Sequence, residues 1–357
     1  MTFVFRKIFF FKALCLVVAL IVSWCELLVY MHHARYCGEV WRRIQRNSPD
    51  ELNAIMISDT HILGNFKGHW FDKLRREWQM SKSFEMSLRY MQPDVVFFLG
   101  DLMDEGKWTN ENLFNEYADR FFTLFNNKSS GVPMYFVPGN HDLGFHYEMH
   151  PERIKWFKKR FNVDPVELHV IKEHTFVLIN SMALHGDNCT LCSEGTHLIE
   201  KYSKVLSCAA SNKCFDKEAA PFKPYNRPIL LQHFPLFRLD ENICLRDEDF
   251  DEMAPDRDEV YREKWECLSQ DSSNYLLAKF TPRAVFNGHA HRGCKREWST
   301  PVSFVEYTMN SFNWRNNDVP TVLMVTINRE EVKTKVCYLP SEKNIIACYI
   351  FLAECDC

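Results

Sequence analysis

The chain has 357 residues and is 46% apolar, which is enough to bury the core of one large α/β domain. Its formal net charge at pH 7 is only −4. A basic footprint for polyanions is therefore absent, and we expect no nucleic-acid partner.

The amino terminus is an apolar segment preceded by basic residues. Residues 13–31 are interrupted only by Ser23 and Glu26 and are long enough to cross a bilayer. We predict a signal anchor here, with residues 1–12 in the cytosol and residues 32–50 forming a polar stem. A cleaved signal peptide and a buried core helix are the alternatives. The basic residues that favour a cytosolic amino terminus are Arg6, Lys7 and Lys12.

Strands and helices alternate after this segment, which predicts a layered α/β domain. Strands are predicted at 52–57, 94–99, 133–137, 168–171, 175–180, 228–231 and 284–287. Helices are predicted at 70–91, 109–125, 151–161 and 272–280. The closing segments 302–307, 321–327 and 332–339 are predicted to form antiparallel strands.

Two stretches lose this periodicity and are predicted to be insertions, near residues 185–224 and 238–271. Cysteines are concentrated there, and in an oxidising lumen they are expected to form disulfides whose pairing the sequence does not give. These cysteines are Cys189, Cys192, Cys208, Cys214, Cys244 and Cys267. A zinc cluster on the first four is the alternative. Asn127 and Asn188 lie in glycosylation sequons.

Five predicted strands end in side chains that can bind metals. Because alternate residues of an extended segment point the same way, Asp59 and His61 are expected to reach one point. The carboxyl ends of strands are where open α/β sheets bind ligands. Mixed carboxylate, amide and imidazole donors suit manganese, iron or zinc, and their number suits two ions. The donors are Asp59, His61, Asp101, Asn140, His141, His233, His289 and His291.

In order and spacing, these blocks resemble the signature of the calcineurin-like metallophosphoesterases. The blocks are Asp59-x-His61, Gly100-Asp101, Gly139-Asn140-His141-Asp142, His233 and Gly288-His289-x-His291. The resemblance implies an α/β sandwich of two mixed sheets flanked by helices over residues 51–340. It also implies one metal bound by Asp59, His61 and His291, and a second bound by Asn140, His233 and His289. Asp101 would bridge the two metals, His141 would face the leaving oxygen, and Asp142 would orient His141.

Residues 311–316 and Phe145 resemble the membrane-anchored secretory-pathway branch of this family. Within that branch the chain most resembles an enzyme that removes an ethanolamine phosphate side branch from the second mannose of GPI anchors, and the resemblance implies the same role here, as part of remodelling that aids ER-to-Golgi transport of GPI-anchored proteins. The resemblance implies phosphodiester hydrolysis with two divalent ions, manganese being expected and zinc or iron the alternatives. It implies the GPI glycolipid, the membrane and cargo receptors of ER export as partners.

The same resemblance implies a lumenal domain at ER exit sites, the ER-Golgi intermediate compartment and the Golgi. The branch usually has a second span near its carboxyl terminus, but the apolar run in the atypical tail 341–357 is too short to span. One or two spans therefore remain open. A lumenal phosphoprotein or nucleotide phosphatase would need cations for a doubly charged ester, for which Lys67, Arg292 and Arg315 are candidates. A scaffold without catalysis is the third hypothesis.

Overall fold

The computed structural model describes residues 2–45, 48–126, 128–187, 189–211, 214–246, 249–250, 258 and 260–354. The sequon asparagines Asn127 and Asn188 lie outside these residues. Within them the chain forms two mixed sheets packed face to face, with helices on both outer surfaces. The predicted sandwich is confirmed.

The strands of the described residues are short, and those of the inner layers are largely buried. In chain order they are β1 (Leu52–Ile57), β2 (Val95–Leu99), β3 (Met134–Val137), β4 (Val166–Ile171), β5 (His174–Ile179), β6 (Ile229–Gln232), β7 (Ala284–Asn287), β8 (Cys294–Trp298), β9 (Phe304–Thr308), β10 (Thr321–Ile327) and β11 (Val332–Tyr338). One sheet has the order β11-β10-β1-β2-β3 and the other has the order β4-β5-β6-β7-β9-β8. In the first, β1, β2 and β3 are parallel. In the second, β5, β6, β7 and β9 are parallel.

The helices cover the sheets and extend the amino terminus. They are α1 (Thr2–Ser23), α2 (Val29–Ile44), α3 (Trp70–Met91), α4 (Glu111–Leu124), α5 (Asn140–Leu143), α6 (Pro151–Phe161), α7 (Thr190–Ala210), α8 (Gln270–Phe280) and α9 (Glu342–Glu354). A π-helical turn, Trp24–Leu28, joins α1 to α2. Short 3₁₀ turns lie at Gly106–Trp108, His146–Glu148, Ser181–Leu184 and Lys217–Phe222.

The core has an inner layer between the sheets and an outer layer beneath the helices. Phe97 of β2 meets Phe176 of β5 across the sandwich, with ring centroids 5.0 Å apart. On the outer side of the first sheet, Phe98 packs against Phe84 of α3 and Phe121 of α4. Because strand side chains alternate between faces, neighbouring residues of β2 serve both layers, as a continuous apolar run predicts.

The structure differs from the predicted elements in three places. The first insertion contains α7, whose Leu191, Ile199 and Leu206 are buried at helical spacing. Its cysteines and Gly195 had obscured that periodicity in the sequence. Strand β8 was not predicted. The last strands are not all antiparallel, because β9 runs parallel to β7 in the second sheet.

Residues 32–44, expected to form a polar stem, are instead a helix packed on the domain. Tyr30, Ala34, Cys37 and Trp41 are buried at helical spacing. The Trp41 indole Nε1 donates a hydrogen bond to the Thr326 hydroxyl at 2.8 Å. The helix is continuous with the amino-terminal segment, and the stretch Ile8–Ile44 contains a part long and apolar enough to cross a membrane, by length and composition.

The predicted disulfides form at five of the six cysteines named from the sequence. The pairs in the described residues are Cys37–Cys337, Cys189–Cys192, Cys208–Cys214 and Cys244–Cys294. The prediction is wrong for Cys267, which is a buried free thiol whose pKa burial raises to about 11. The zinc-cluster alternative is wrong as well, because its four sulfurs pair with one another as disulfides.

The Cys37–Cys337 bond joins α2 to β11 across 300 residues of sequence. Because a cross-link over so long a loop restricts the unfolded chain strongly, we expect Cys37→Ser with Cys337→Ser to lower the free energy of unfolding on the order of 2–5 kcal/mol. Urea unfolding in detergent, followed by tryptophan fluorescence, measures the loss. Cys15→Ser, which removes an exposed free thiol, is the control. Equal stability of the two variants would contradict a structural role for the bond.

Candidate metal centre

Tight loops after β1, β2 and β7 carry five of the seven candidate ligands. Asp59, His61 and Asp101 have φ angles of 57°, 40° and 50°, and His289 and His291 have φ angles of 70° and 60°. This left-handed region is costly for residues with a Cβ, and such residues cluster at functional sites. The prediction that the segment from Asp59 to His61 is extended is therefore wrong. Their side chains nevertheless meet, with Asp59 Oδ1 and His61 Nε2 3.8 Å apart.

Backbone hydrogen bonds hold these loops in their strained shape. The Asp59 amide donates to the Gly100 carbonyl at 3.1 Å, and the His61 amide donates to the Asp101 carbonyl at 2.9 Å. The loops after the first two parallel strands thus remain paired beyond the end of the sheet. This pairing directs the ligands into one space.

Asp101 lies at the centre of the site and is fully buried. Its Oδ2 is 3.5 Å from His61 Nε2 and 3.3 Å from His233 Nε2. Its Oδ1 accepts a hydrogen bond of 2.7 Å from the His141 amide. Burial alone would raise the pKa of this carboxyl, but the imidazoles of His233 and His141 lower it well below its usual range. Asp101 is therefore a carboxylate that faces histidines on both sides.

The first group of donors surrounds one point on one side of Asp101. It consists of Asp59, His61, Asp101 and His291, whose ligand atoms all lie within 4.8 Å of one another. The Nε2 atoms of His61 and His291 are only 3.0 Å apart. Burial opposes the charged form of His61, but the carboxylates of Asp104 and Asp59 outweigh burial and raise the His61 pKa to about 10.

The second group lies on the other side and shares Asp101. It consists of Asp101, His233 and His289, again with ligand atoms within 4.8 Å of one another. The amide oxygen of Asn140 lies 3.2 Å from His233 Nε2, which adds a fourth donor. All seven residues predicted from the sequence as metal ligands therefore lie in one cluster, and Asp101 belongs to both halves.

Hydrogen bonds to backbone carbonyls determine which ring nitrogen of two histidines can bind a metal. His233 Nδ1 is 2.8 Å from the Leu99 carbonyl, to which only an N–H can donate, so Nε2, which faces Asp101, is the nitrogen with a lone pair when the ring is neutral. His289 Nε2 donates in the same way to the Trp265 carbonyl at 2.6 Å. Its Nδ1 is buried without a hydrogen-bond partner in the described residues. Unpaired imidazole nitrogens beside buried carboxylates fit a pair of divalent cations.

Two glycines allow the loops to approach the carboxylates. A Cβ on Gly139 would lie 2.1 Å from Asp101 Oδ1. A Cβ on Gly288 would lie 1.7 Å from the Ser58 hydroxyl and 2.6 Å from Asp59 Oδ2. Side chains at these positions would displace the ligands, so glycine in the Gly139-Asn140 and Gly288-His289 blocks is a steric requirement.

The chain has relatives among known proteins. A profile described as Calcineurin-like phosphoesterase matches residues 52–293, more than half of the chain. The chain belongs to the calcineurin-like phosphoesterase family. It is 46% identical over 309 residues to the Metallophosphoesterase 1 homolog of Caenorhabditis elegans, covering 86% of this chain and 79% of the relative.

Other relatives of this calcineurin-like phosphoesterase extend over nearly the whole chain. Metallophosphoesterase 1 of Ailuropoda melanoleuca is 37% identical over 359 residues, covering 98% of this chain and 88% of the relative. Among solved structures, a dimetal phosphatase from Danio rerio matches with a TM-score of 0.45 at 14% identity, covering 80% of this chain and 99% of that one.

As a calcineurin-like phosphoesterase, the chain is a metal-dependent hydrolase of phosphoesters. The family fold and the two donor groups support two divalent metal ions. Residues 311–316 also have a physical role in the site. The Ser311 hydroxyl donates to the Asp59 carbonyl at 2.7 Å, and the Asn313 side chain donates to the Thr60 carbonyl at 2.8 Å. This segment therefore supports the ligand loop after β1.

Sequence reasoning missed Asp104 in this phosphoesterase site. Its Oδ1 lies 3.3 Å from the Nδ1 atoms of both His61 and His141. It follows Asp101 by three residues, and that spacing was the available signal. The carboxylate of Asp142, predicted to orient His141, instead accepts hydrogen bonds from the Met103 and Gly139 amides at 2.9 and 2.8 Å. The ring of His141 is held by Asp104, while Asp142 fixes the loop beneath it.

Replacing Asp101 by alanine removes the carboxylate that both donor groups share. We expect bound manganese to fall from about two ions per chain to below one, because each group loses a donor. Inductively coupled plasma mass spectrometry after dialysis measures the content. Asp271→Ala, which removes an exposed carboxylate at the start of α8, should keep the wild-type content. Two tightly held ions in the Asp101 variant would contradict a shared ligand.

Proposed function

We propose that this enzyme is a phosphodiesterase that removes the ethanolamine phosphate side branch from the second mannose of GPI anchors. The observation that carries the hydrolytic part is the buried Asp101 carboxylate between two groups of metal-binding side chains. The support for the substrate is the resemblance of residues 311–316 and Phe145 to the branch that remodels GPI anchors. The names of the relatives, Metallophosphoesterase 1, agree with this class of reaction.

In the proposed reaction the metal ions supply the chemistry, and the protein side chains bind and position the ions. When bound, two divalent ions supply activated water and offset negative charge on the phosphoryl oxygens. Asp59, His61 and His291 would hold the first ion, and Asn140, His233 and His289 the second, with Asp101 shared. We propose manganese as the metal. The strained loops keep these donors in position before substrate arrives, so little reorganisation is needed at the reaction.

His141 is suited to deliver a proton to the departing sugar oxygen. Its Nδ1 lies 2.9 Å from the Asp104 carbonyl, which fixes the proton on that nitrogen when the ring is neutral. Nε2 is then the nitrogen that exchanges a proton with substrate. The side chain is about one-quarter exposed beside the buried ligands. As the P–O bond to the sugar breaks, a protonated Nε2 would neutralise the alkoxide, which is a poor leaving group without a proton.

Two of the three candidate cations near the centre, Lys67 and Arg315, contact groups of the protein, which supports a singly charged diester over a doubly charged monoester as substrate. Lys67 lies over the Trp108 ring at 4.4 Å, and Arg315 lies 3.8 Å from Asp104 Oδ2. Both are thus engaged by groups of the protein itself. A phosphomonoester would require uncommitted cations to balance its second charge.

We further propose that the catalytic domain is lumenal and anchored by the amino-terminal helix. The disulfides support an oxidising compartment. Residues 1–12 would lie in the cytosol, 13–31 would cross the bilayer, and 51–340 would form the enzyme. The sites of action would be ER exit sites, the ER-Golgi intermediate compartment and the Golgi, where the product aids export with cargo receptors.

Cells lacking this chain should retain the ethanolamine phosphate on the second mannose of their GPI anchors. Mass spectrometry of released GPI glycans measures this group, and re-expression of the wild-type chain should remove it. The Asp101→Ala variant should fail to do so, whereas Asp271→Ala should succeed. Glycans unchanged by deletion would contradict the substrate and favour a lumenal phosphoprotein or nucleotide phosphatase. Full rescue by the Asp101 variant would favour a non-catalytic scaffold.

His141→Ala should lower kcat on a diester with an alkyl leaving group by about 10²- to 10⁴-fold, with KM little changed. The loss should be much smaller on bis(p-nitrophenyl) phosphate, because nitrophenolate departs without a proton. Steady-state kinetics on both substrates measures the difference. His197→Ala, on the exposed surface of α7, should leave both rates unchanged. Equal losses on the two diesters would contradict proton delivery by His141.

A further inference from the structure

The first turns of α3 present an apolar surface to solvent, although α3 belongs to the catalytic domain. Trp70, Phe71 and Leu74 are 68%, 58% and 61% exposed, and Trp78 is 41% exposed. The arginines of the same turns are paired with carboxylates. For example, Arg76 forms ion pairs with Asp72 and Glu342. One face of the helix is thus apolar and aromatic, and another is charged, a pattern typical of helices that lie at a membrane surface.

Contacts with the amino-terminal helix fix the level of this surface. Arg75 Nη1 donates to Glu26 Oε2 at 2.6 Å, and Arg42 Nη1 donates to the Tyr90 carbonyl at 3.2 Å. Arg75 and Tyr90 are 15 positions apart on α3, and their partners Glu26 and Arg42 are 16 positions apart on the amino-terminal helix. The two contacts therefore occur in the same order and at nearly the same spacing on both helices. Because the rise per residue is the same in both, α3 runs parallel to α2. Trp70 and Phe71 therefore lie about one turn further toward the cytosolic end than Glu26.

Glu26 lies inside the segment proposed to cross the membrane, and its charge is matched there. Its carboxylate accepts one hydrogen bond from Arg75 and another of 2.6 Å from the Tyr349 hydroxyl of α9. Ionisable groups at membrane depth pair with one another in this way. The pairing attaches the start of α3 and α9 to the anchor helix at a depth where lipid surrounds that helix.

The opposite wall of this surface is also apolar. A groove of about 510 Å³ lies between α3 and α9. Its apolar lining is Phe71, Leu74, Trp78, Ile345, Ile346 and Tyr349, and its charged lining is Arg75 with Glu26 and Glu342, which are paired with one another. Ile346 and Ile350 of α9 are about half exposed. We refer to Trp70, Phe71, Leu74, Trp78, Ile346 and Ile350 together as the anchor-side face.

We propose that the anchor-side face is embedded in the lumenal leaflet, so that the catalytic domain itself binds lipid beside its membrane span. The proposal rests on the membrane anchoring put forward above but not on the identity of the glycolipid. Continuity with the spanning helix supports lipid as the occupant. Trp78 lies about one turn beyond Arg75, near the lumenal end of the proposed span, where tryptophan suits the interface between lipid headgroups and acyl chains.

Embedding this face brings the metal centre close to the bilayer. Only residues 62–69 connect the ligand His61 to Trp70, a distance of at most about 30 Å. Glu105 restrains this connection by accepting hydrogen bonds from the Phe66 and Lys67 amides at 2.9 and 2.6 Å. The site would then face substrates held in the same membrane.

Photo-crosslinking of the full chain in phosphatidylcholine nanodiscs tests the proposal. Benzoylphenylalanine is placed at Phe71 or Leu74, at Val17 in the span as a positive control, and at Phe215 as a negative control. Phe215 is 89% exposed on the first insertion. We expect phospholipid adducts at positions 71, 74 and 17, about tenfold above position 215, because only the first three contact lipid.

Adducts at position 17 without adducts at 71 or 74 would overturn the proposal while leaving the anchor intact. Adducts from 71 or 74 to α9 or to a second copy of the chain would also overturn it, because protein would then occupy the groove. Absence of adducts at 17 would overturn the anchoring and this inference together. Mass spectrometry of the released GPI glycans tests the identity of the substrate, and its result does not depend on any of these three outcomes.

A kinetic experiment gives a second test. Phe71→Glu with Leu74→Glu should lower turnover of a lipid-linked p-nitrophenyl diester in nanodiscs about tenfold, because the charged face no longer enters the leaflet. Turnover of soluble bis(p-nitrophenyl) phosphate should not change. Unchanged turnover would also show that the variant is correctly folded. Phe215→Glu should change neither rate. Equal losses on both substrates, or no loss on either, would contradict the proposal.

Discussion

The buried carboxylate of Asp101 is the constraint on which the rest of the structure depends. It lies within 3.5 Å of a histidine from each of the two sheets, His61 after β1 and His233 after β6. Buried charge is tolerable only when it is matched, so the two sheets must close at a fixed separation to bring these partners together. The metal centre therefore requires the packed sandwich, and the packing of the two sheets in turn depends on the contacts of Asp101.

The identity of the site could be predicted from the sequence because its donors follow apolar runs. A strand buried on both faces is visible as a continuous apolar segment, and its carboxyl end is a position where ligands bind. Asp59, Asp101 and Asn140 were found in this way, whereas the order of the strands in each sheet was not predicted. The periodicity of α3 and α6 was equally clear, and their bounds agree with the structure.

What the sequence could not provide depends on contacts between distant segments. The left-handed φ angles of Asp59 and His61 are imposed by hydrogen bonds to the loop after β2, which local propensity does not report. Asp104 acquires its role only because His61 and His141 fold onto it. The helical stem was misjudged because its apolar positions are few and become a buried face only against α3 and the first sheet. Disulfide pairing has the same non-local origin.

The bond between Cys37 and Cys337 has a consequence for how the enzyme meets its substrate. It fastens α2, which continues the helix proposed to cross the membrane, to an edge strand of the first sheet, so the globular part cannot rotate freely about that helix. For the membrane-held substrate proposed above, a rigid linkage would convert the encounter into a search by lateral diffusion in two dimensions at one fixed height. Reaction partners confined in this way have a high effective concentration without any additional contact between them.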